Sequence, residues 1–355
     1  MKALVLSGGK GSRLRPLTYS GAKQLVPVAN RPVLFHALDD LIEAGVDDIT
    51  IVVGDTGDQV RAAVEAERFP ARIAYVQQDA PLGIAHAVKI ARPALGDAPF
   101  VLFLGDNFIR EGVRSYVESF REGTQDALVL LKEVERPQDF GVAAFEGERL
   151  ARVVEKPQRP PSNLAVIGIY FFGPRVWDAI EAIRPSARGE LEISDTIQWL
   201  IDHGADVRAE RVEGVWIDTG KHDDLLVANR LMLEVIEGRI EGSVDEHSRL
   251  HGRERIVIEA GAVVEHSVIS GPAAIGRNAR IAHSYVGPFT SIDHDCVIEH
   301  SEIAGSVVME STTIANVGHR IEHSLIGRNV EVRGEQKKPR AFHLVLGDYS
   351  KVNIP

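Results

Sequence analysis

The chain has 355 residues, 44% hydrophobic and 26% charged, the profile of a soluble globular protein long enough for two domains. Its net charge of −11 argues against a broad nucleic-acid surface, so any phosphate chemistry has to sit in a local basic pocket. The one cysteine, Cys296, excludes an intrachain disulfide framework and a cysteine-based zinc site. No apolar run is long enough to span a membrane, and the apolar run after Lys2 is too short for a signal peptide, so a cytoplasmic location is the expectation.

Residues 3–6 read as a buried strand of a parallel sheet. They run into Ser7, Gly8, Gly9, Lys10, Gly11, Ser12 and Arg13, where the glycines allow a tight turn with several N–H groups aimed at an anion. Arg13 and Arg15 add fixed charge suited to phosphate. The spacing fits neither the dinucleotide fingerprint, whose third glycine would stand at Leu14, nor the P-loop. A polyphosphate cradle and a plain glycine turn are both open at this point. Residues 17–31 are an irregular polar segment in which Lys23 either folds back on the same phosphates or lies on the surface.

Residues 32–44 read as a helix with Pro32 at its start and Val33, Leu34, Leu38, Leu41 and Ile42 on its apolar face. Strands at 49–53 and 73–76 flank a helix at 58–67, an alternation that indicates an α/β sheet with right-handed crossovers. The loop after 76 holds Gln78, Pro81 and Gly83, and such loops at strand ends are where these sheets bind ligands. An apolar strand at 100–104 is tipped by Gly105, Asp106 and Asn107, and Asp106 is either a ligand for Mg²⁺ or a turn aspartate. Further strands are expected at 127–131, 140–143, 153–157 and 166–172, with helices at 177–183 and up to His203. Residues 215–220 repeat the pattern of an apolar strand tipped by Asp218 and Gly220, and 224–237 is a helix.

From about residue 256 the texture changes. Val263, Ile269, Ile275 and Ile281 are six apart, and Val286, Ile292, Ile298, Ile303, Val308 and Ile314 continue at five or six, with Ile326 and Val332 closing the series. Such a period puts one side chain per rung into the core of a parallel β-helix, here about a dozen rungs in some four coils. The locally basic stretch 336–340 reads as a solvated connector.

Taken in order, the glycine loop, the Lys23 segment, the Gly105–Asp106–Asn107 tip and the Trp216-to-Gly220 tip resemble those of the sugar-1-phosphate nucleotidylyltransferases. Within them the chain is most similar to the long thymidylyl-transferring members with a C-terminal left-handed β-helix. The resemblance implies a Rossmann-like α/β transferase domain at 1–242 and the left-handed β-helix at 243–355. It implies transfer from dTTP to glucose 1-phosphate, with Mg²⁺, giving dTDP-glucose and pyrophosphate; UTP is the alternative nucleotide. Leu6, Ser7, Gly8 and Gly9 would contact base and ribose, and Gly11, Ser12 and Arg13 the triphosphate. Gln24 and Pro81 would belong to the nucleotide site, and Gln78 and Gly83 would read the pyrimidine. Asp106 and Asp218 would hold the metal. Asn107, Gly141, Glu155, Lys156, Val166 and Ile167 would form the sugar-phosphate site. Arg13, Lys23, Asp106, Lys156 and Asp218 would be the catalytic set. Homo-oligomerisation through the β-helix is expected, with neither nucleic acid nor membrane as partner. Two other readings differ in class: a non-catalytic regulatory subunit, and a second, acyl-transferring activity using His266, His283, His294, His300 or His323.

Overall fold

A computed structural model describes residues 1–9, 11–335, 344 and 346–353. Lys10 of the glycine loop and the basic stretch 336–340 lie outside the described residues. The chain divides into two compact units that do not follow sequence order: Met1–Lys10 with Leu34–Ile217, and Gly11–Val33 with Asp218–Pro355.

The first unit is built on a nine-stranded mixed sheet. Its centre is four parallel strands, Phe100–Leu104, Lys2–Ser7, Asp48–Val53 and Arg72–Gln77, in that spatial order. Val5 lies between Phe103 and Ile51, and all three are fully buried. This explains the unbroken apolar runs, because a central parallel strand is covered on both faces. Leu164–Phe172 pairs antiparallel with Phe100–Leu104 and carries the sheet outward to Gly141–Glu146 and Arg149–Glu155.

Most predicted elements are present with small shifts. The helix expected from Pro32 starts at Val33, as Val33–Glu43, because Pro32 belongs to a short strand, Arg31–Pro32. Helix Arg114–Glu122 and strand Val207–Arg211 have no counterpart in the sequence reading. The helix buries only Val117 and Phe120, too few apolar positions to set a helical period. No helix among the described residues is long and apolar enough to cross a membrane.

In the second unit, helix His222–Glu234 precedes a coil whose described strands form three parallel sheets of six, six and five short strands. Three flat parallel faces are the architecture of the left-handed β-helix. Ile258, Ile275 and Ile292 are register partners on one face, and Val264, Ile281 and Ile298 on the next. Each partner is thus 17 residues on, so one coil takes two steps of six and one of five.

Two corrections follow. The coil begins at Arg239 and makes close to six turns, where the sequence reading counted four. Its first turn, through Arg239–Ile240, Ser243–Val244 and Arg249–His251, is mostly exposed and polar, which hides it from an apolar period. The inward residue of the early rung is Val264, fully buried, and not Val263.

The corners need left-handed backbone. Asparagine, aspartate and serine supply some of it, and His266, His283, His300 and His323 supply one corner with φ between 45° and 50°. The rings of His247, His266, His283 and His300 form a column with centroids 4.7, 5.0 and 4.7 Å apart. Serine follows each of them. The Ser267 and Ser284 hydroxyls accept the N–H of Ser284 and Ser301 at 3.1 and 3.2 Å. The His-Ser dipeptide recurring every 17 to 19 residues is the sequence signal for this column.

Candidate active site

The predicted residues fall in both units. In the first, Ser7 closes strand Lys2–Ser7 with its hydroxyl buried and without a hydrogen-bond partner among the described residues. Gly8 follows Ser7, and then Gly9 at φ 114°. The Gln78 Oε1 lies 3.6 Å from where a Cβ on Gly8 would stand. Gln78 Nε2 donates to the Gly83 carbonyl at 3.3 Å and lies 3.0 Å from His86 Nδ1. Burial, helped by Lys89, lowers the His86 pKa, so the ring is neutral and its Nδ1 accepts from the amide. The Gln78 amide is therefore fixed in orientation at the carboxyl end of the parallel strands.

Gly83 could be no other residue. Its φ is 104°, and a Cβ there would come within 2.3 Å of the Leu191 carbonyl oxygen. Pro81 sits on the same loop, exposed.

Asp106 follows strand Phe100–Leu104, half-buried. Asn107 Nδ2 donates to its Oδ1 at 3.1 Å, and Asn107 Oδ1 accepts from Trp216 Nε1 at 2.6 Å. Asn107 is buried, so both ends of its amide are spent on orienting Asp106 against Trp216.

The sheet register assembles a second cluster. Gly141 is opposite Glu155 on one side and Val166 on the other. A Cβ on Gly141 would stand 3.3 Å from Glu155 Oε2 and 3.9 Å from Val166 Cβ, so the glycine leaves the carboxylate its room. Ile167 is fully buried next to Val166. Lys156 turns out of the strand at φ 40°, with Nζ 3.8 Å from Glu155 Oε1.

Sequence reasoning missed this cluster's other members. Arg188 Nη1 is 3.4 Å from Glu155 Oε1 and 3.7 Å from Glu192 Oε1, and its Nη2 is 2.8 Å from Glu190 Oε2. Burial alone would lower the Arg188 pKa, but Glu192, Glu190 and Glu155 outweigh it and raise it. Ser194 Oγ donates to Glu155 Oε2. Burial, then the charge of Glu192, raises the Asp195 carboxyl. Glu155, Lys156, Arg188, Glu192, Asp195 and Gln198 line a cavity of about 440 Å³. The signal was the charged run of Arg188, Glu190, Glu192 and Asp195 at the approach to the helix expected up to His203.

In the second unit, Gly11 has φ 57°, and a Cβ on it would meet Lys23 Cβ at 3.0 Å and Thr18 Cγ2 at 3.1 Å. Thr18 Oγ1 donates to the Gly11 carbonyl at 2.7 Å. Ser12–Leu14 and Lys23–Leu25 are single 3₁₀ turns, which place Ser12 and Arg13 on one and Lys23 and the buried Gln24 on the other. Gly220 brings two predicted residues together: a Cβ there would lie 2.7 Å from Arg13 Nη2 and 3.0 Å from Asp218 Oδ1. Asp224, which the sequence reading did not single out, also belongs here. Burial raises its pKa, and Lys221 and Arg13 oppose the rise.

Asp106 and Asp218 both offer half-buried carboxylate oxygens at strand tips. These hard donors suit Mg²⁺, which takes one or two carboxylates and completes its shell with substrate phosphates and water. His266, His283 and His300 stack on one another instead of converging, and no group of three or more His, Cys, Asp or Glu able to hold a metal occurs among the described residues. His294 stands outside the column and pairs with Asp295 at 2.7 Å.

Comparison with known proteins gives the family. The chain is 49% identical over 356 residues to a glucose-1-phosphate thymidylyltransferase of Streptomyces griseus, covering all of this chain and 99% of that protein. It is 50% identical over 357 residues to one of Streptomyces antibioticus, with the same coverage. A crystal structure described as a Bacillus anthracis glucose-1-phosphate thymidylyltransferase in complex with sucrose superposes with a TM-score of 0.62. It is 37% identical and covers 67% of this chain and 98% of its own. The family model for nucleotidyl transferases matches residues 2–235, and the chain belongs to that family.

Proposed function

We propose that this protein transfers the thymidylyl group of dTTP to glucose 1-phosphate, releasing pyrophosphate and dTDP-glucose. The observation that carries the reading is the oriented Gln78 amide, held by Gly83 and neutral His86 beside Gly8. With both Nε2 hydrogens given to Gly83 and His86, the amide keeps its Oε1 as an acceptor for the N–H at the edge of a pyrimidine. Identity near 50% over the full length to two thymidylyltransferases supports the substrate pair. UTP differs from dTTP chiefly in one base methyl and the ribose hydroxyl. A methyl contact is worth about 1–3 kcal/mol, so use of both nucleotides is compatible with the site.

The chemistry follows from the residues. A phosphate oxygen of the sugar phosphate attacks the α-phosphorus of the triphosphate in line, and pyrophosphate leaves. The nucleophile is already an anion, so no general base or covalent intermediate is needed, and catalysis rests on alignment and charge. Arg13 and Lys23 grip the nucleotide phosphates, and the glycine-loop N–H groups cradle them. Lys156 takes the sugar phosphate and Glu155 the sugar hydroxyls, with Gly141, Val166 and Ile167 shaping the pocket. Asp106 and Asp218 are the carboxylates assigned to Mg²⁺, which when bound neutralises phosphate charge. Asn107 serves by orienting Asp106.

The transfer chemistry is assigned to the residues ahead of the coil, and the β-helix from Arg239 is assigned the contacts of a homo-oligomer. A cytoplasmic setting and the absence of nucleic-acid or membrane partners belong to the same reading. The test is pyrophosphate release with Mg²⁺, glucose 1-phosphate and each of dTTP, UTP, GTP, CTP and ATP. Release greatest with dTTP and dependent on the sugar phosphate is the expected outcome. Release with none of the five would overturn the assignment.

A further inference from the structure

The segment Gly11–Val33 carries Arg13, Lys23 and Gln24, yet it packs as part of the unit that contains the β-helix. Specific polar contacts hold it there. Pro27–Val28 and Arg31–Pro32 form a hairpin whose two-residue turn is Ala29 and Asn30, at φ 51° and 61°. Both positions are left-handed, the geometry of a type I′ turn, which favours Asn and Gly and disfavours alanine. The turn therefore depends on outside support.

Asn229, on helix His222–Glu234, supplies that support and is 1% exposed. Its Oδ1 accepts from the Ala29 N–H at 2.9 Å and from the Ser291 hydroxyl at 2.5 Å, and its Nδ2 donates to the Phe289 carbonyl at 3.1 Å. One buried amide thus joins the turn to a coil of the β-helix. Asn30 Nδ2 reaches the same coil directly, at the Ile292 carbonyl, 2.8 Å away. A second anchor lies two coils on. Arg328 Nη2 donates to the Leu25 carbonyl at 3.1 Å, at the end of the 3₁₀ turn that carries Lys23 and Gln24. Arg328 is itself held by Glu310.

We propose that Asn229 and Arg328 are positioning residues for the nucleotide-phosphate segment, so that the β-helix sets the place of Arg13 and Lys23 from within its own chain. Neither side chain is assigned to touch substrate. In its kinetic part the inference rests on the proposed function, and in its structural part it stands without it.

The experiment uses the full-length protein with Asn229→Ala, Arg328→Met and, as rescue, Arg328→Lys. Arg328 is partly exposed, so its variants stay informative if Asn229→Ala fails to fold. Amide hydrogen exchange over residues 11–33 is compared with exchange over the coil strands between 273 and 303. In Arg328→Met the segment should exchange about fivefold to tenfold faster while those strands keep their protection. The KM for dTTP should rise by a similar factor with the KM for glucose 1-phosphate unchanged, and Arg328→Lys should restore much of both. Unchanged exchange over 11–33 would overturn the inference, whatever the kinetics. A wild-type protein without turnover would defeat the functional reading alone, since exchange would still report the anchoring.

Discussion

Ser194 Oγ donates to Oε2 of Glu155 at 3.1 Å, and Ser194 is 2% exposed. The bond fixes the carboxylate that faces Gly141, while Lys156 and Arg188 lie on its other oxygen. Ser194→Ala should raise the KM for glucose 1-phosphate about tenfold to a hundredfold, the worth of one hydrogen bond to a charged group. The KM for dTTP should barely move. Steady-state kinetics with each substrate varied in turn decides it, and an equal rise in both would remove Ser194 from the sugar side.

Lys156→Ala should weaken sugar-phosphate use more than nucleotide use. Asp106→Asn should remove most of the activity while the fold stays intact, because Asn107 and Trp216 keep their contact without the charge. Circular dichroism together with pyrophosphate release checks this pair, and wild-type turnover by either variant would be the adverse result.

Gly83→Ala meets a backbone oxygen that cannot step aside. The strained φ and the clash with Leu191 should cost about 1–3 kcal/mol of stability. The shift should also release the Gln78 amide and raise the KM for the nucleotide. Urea unfolding and dTTP titration measure the two effects separately.

Asp40, on helix Val33–Glu43, gives a pH dependence. Burial, with Glu43 and Asp39 adding to it, pushes its carboxyl up to about 8. A folded pKa above the unfolded value of 3.8 means that this group's contribution is complete below about pH 4 and is lost as pH rises towards 8. Asp40→Asn should therefore stabilise the protein at pH 8, by about 2–3 kcal/mol after allowance for partial exposure, and do little at pH 4. Thermal melts at the two pH values read the difference directly.

Cys296 is fully buried in the β-helix core, with Sγ donating to the Met309 carbonyl at 3.1 Å. Burial pushes its thiol up to about 12. A thiol-specific reagent at pH 8 should leave the native protein unlabelled and modify one thiol per chain in denaturant. Rapid labelling of the native protein would show that the coil opens at that level.

What was legible in the sequence was whatever repeats or ends a strand. The apolar run closing at Ser7, the tips at Asp106 and Asp218 and the coil isoleucines all stand where the pattern put them. The sheet class followed from alternation alone. The hidden parts depend on partners distant in sequence. Arg188 and Ser194 join Glu155 only through folding, and nothing near residue 155 announces them. Likewise nothing adjacent to Lys23 reveals that Arg328 holds its turn, 303 residues away in the chain. The first coil escaped because most of its strand residues are exposed, and the count of four also passed over the rungs at Ile258 and Ile321.

The division of the chain also has a consequence for the order of synthesis. Residues 11–33 leave the ribosome well ahead of their partners, since Asn229, Phe289, Ile292 and Arg328 follow only after some 200 to 300 more residues. The sheet of residues 34–217 can close around the strand already made while translation continues. The segment with Arg13 and Lys23 has to wait through that interval without the neighbours that fix it. A nascent chain halted before residue 289 has none of the coil-side bonds, so the finished sheet comes before the finished segment, which residues translated some 300 positions later complete.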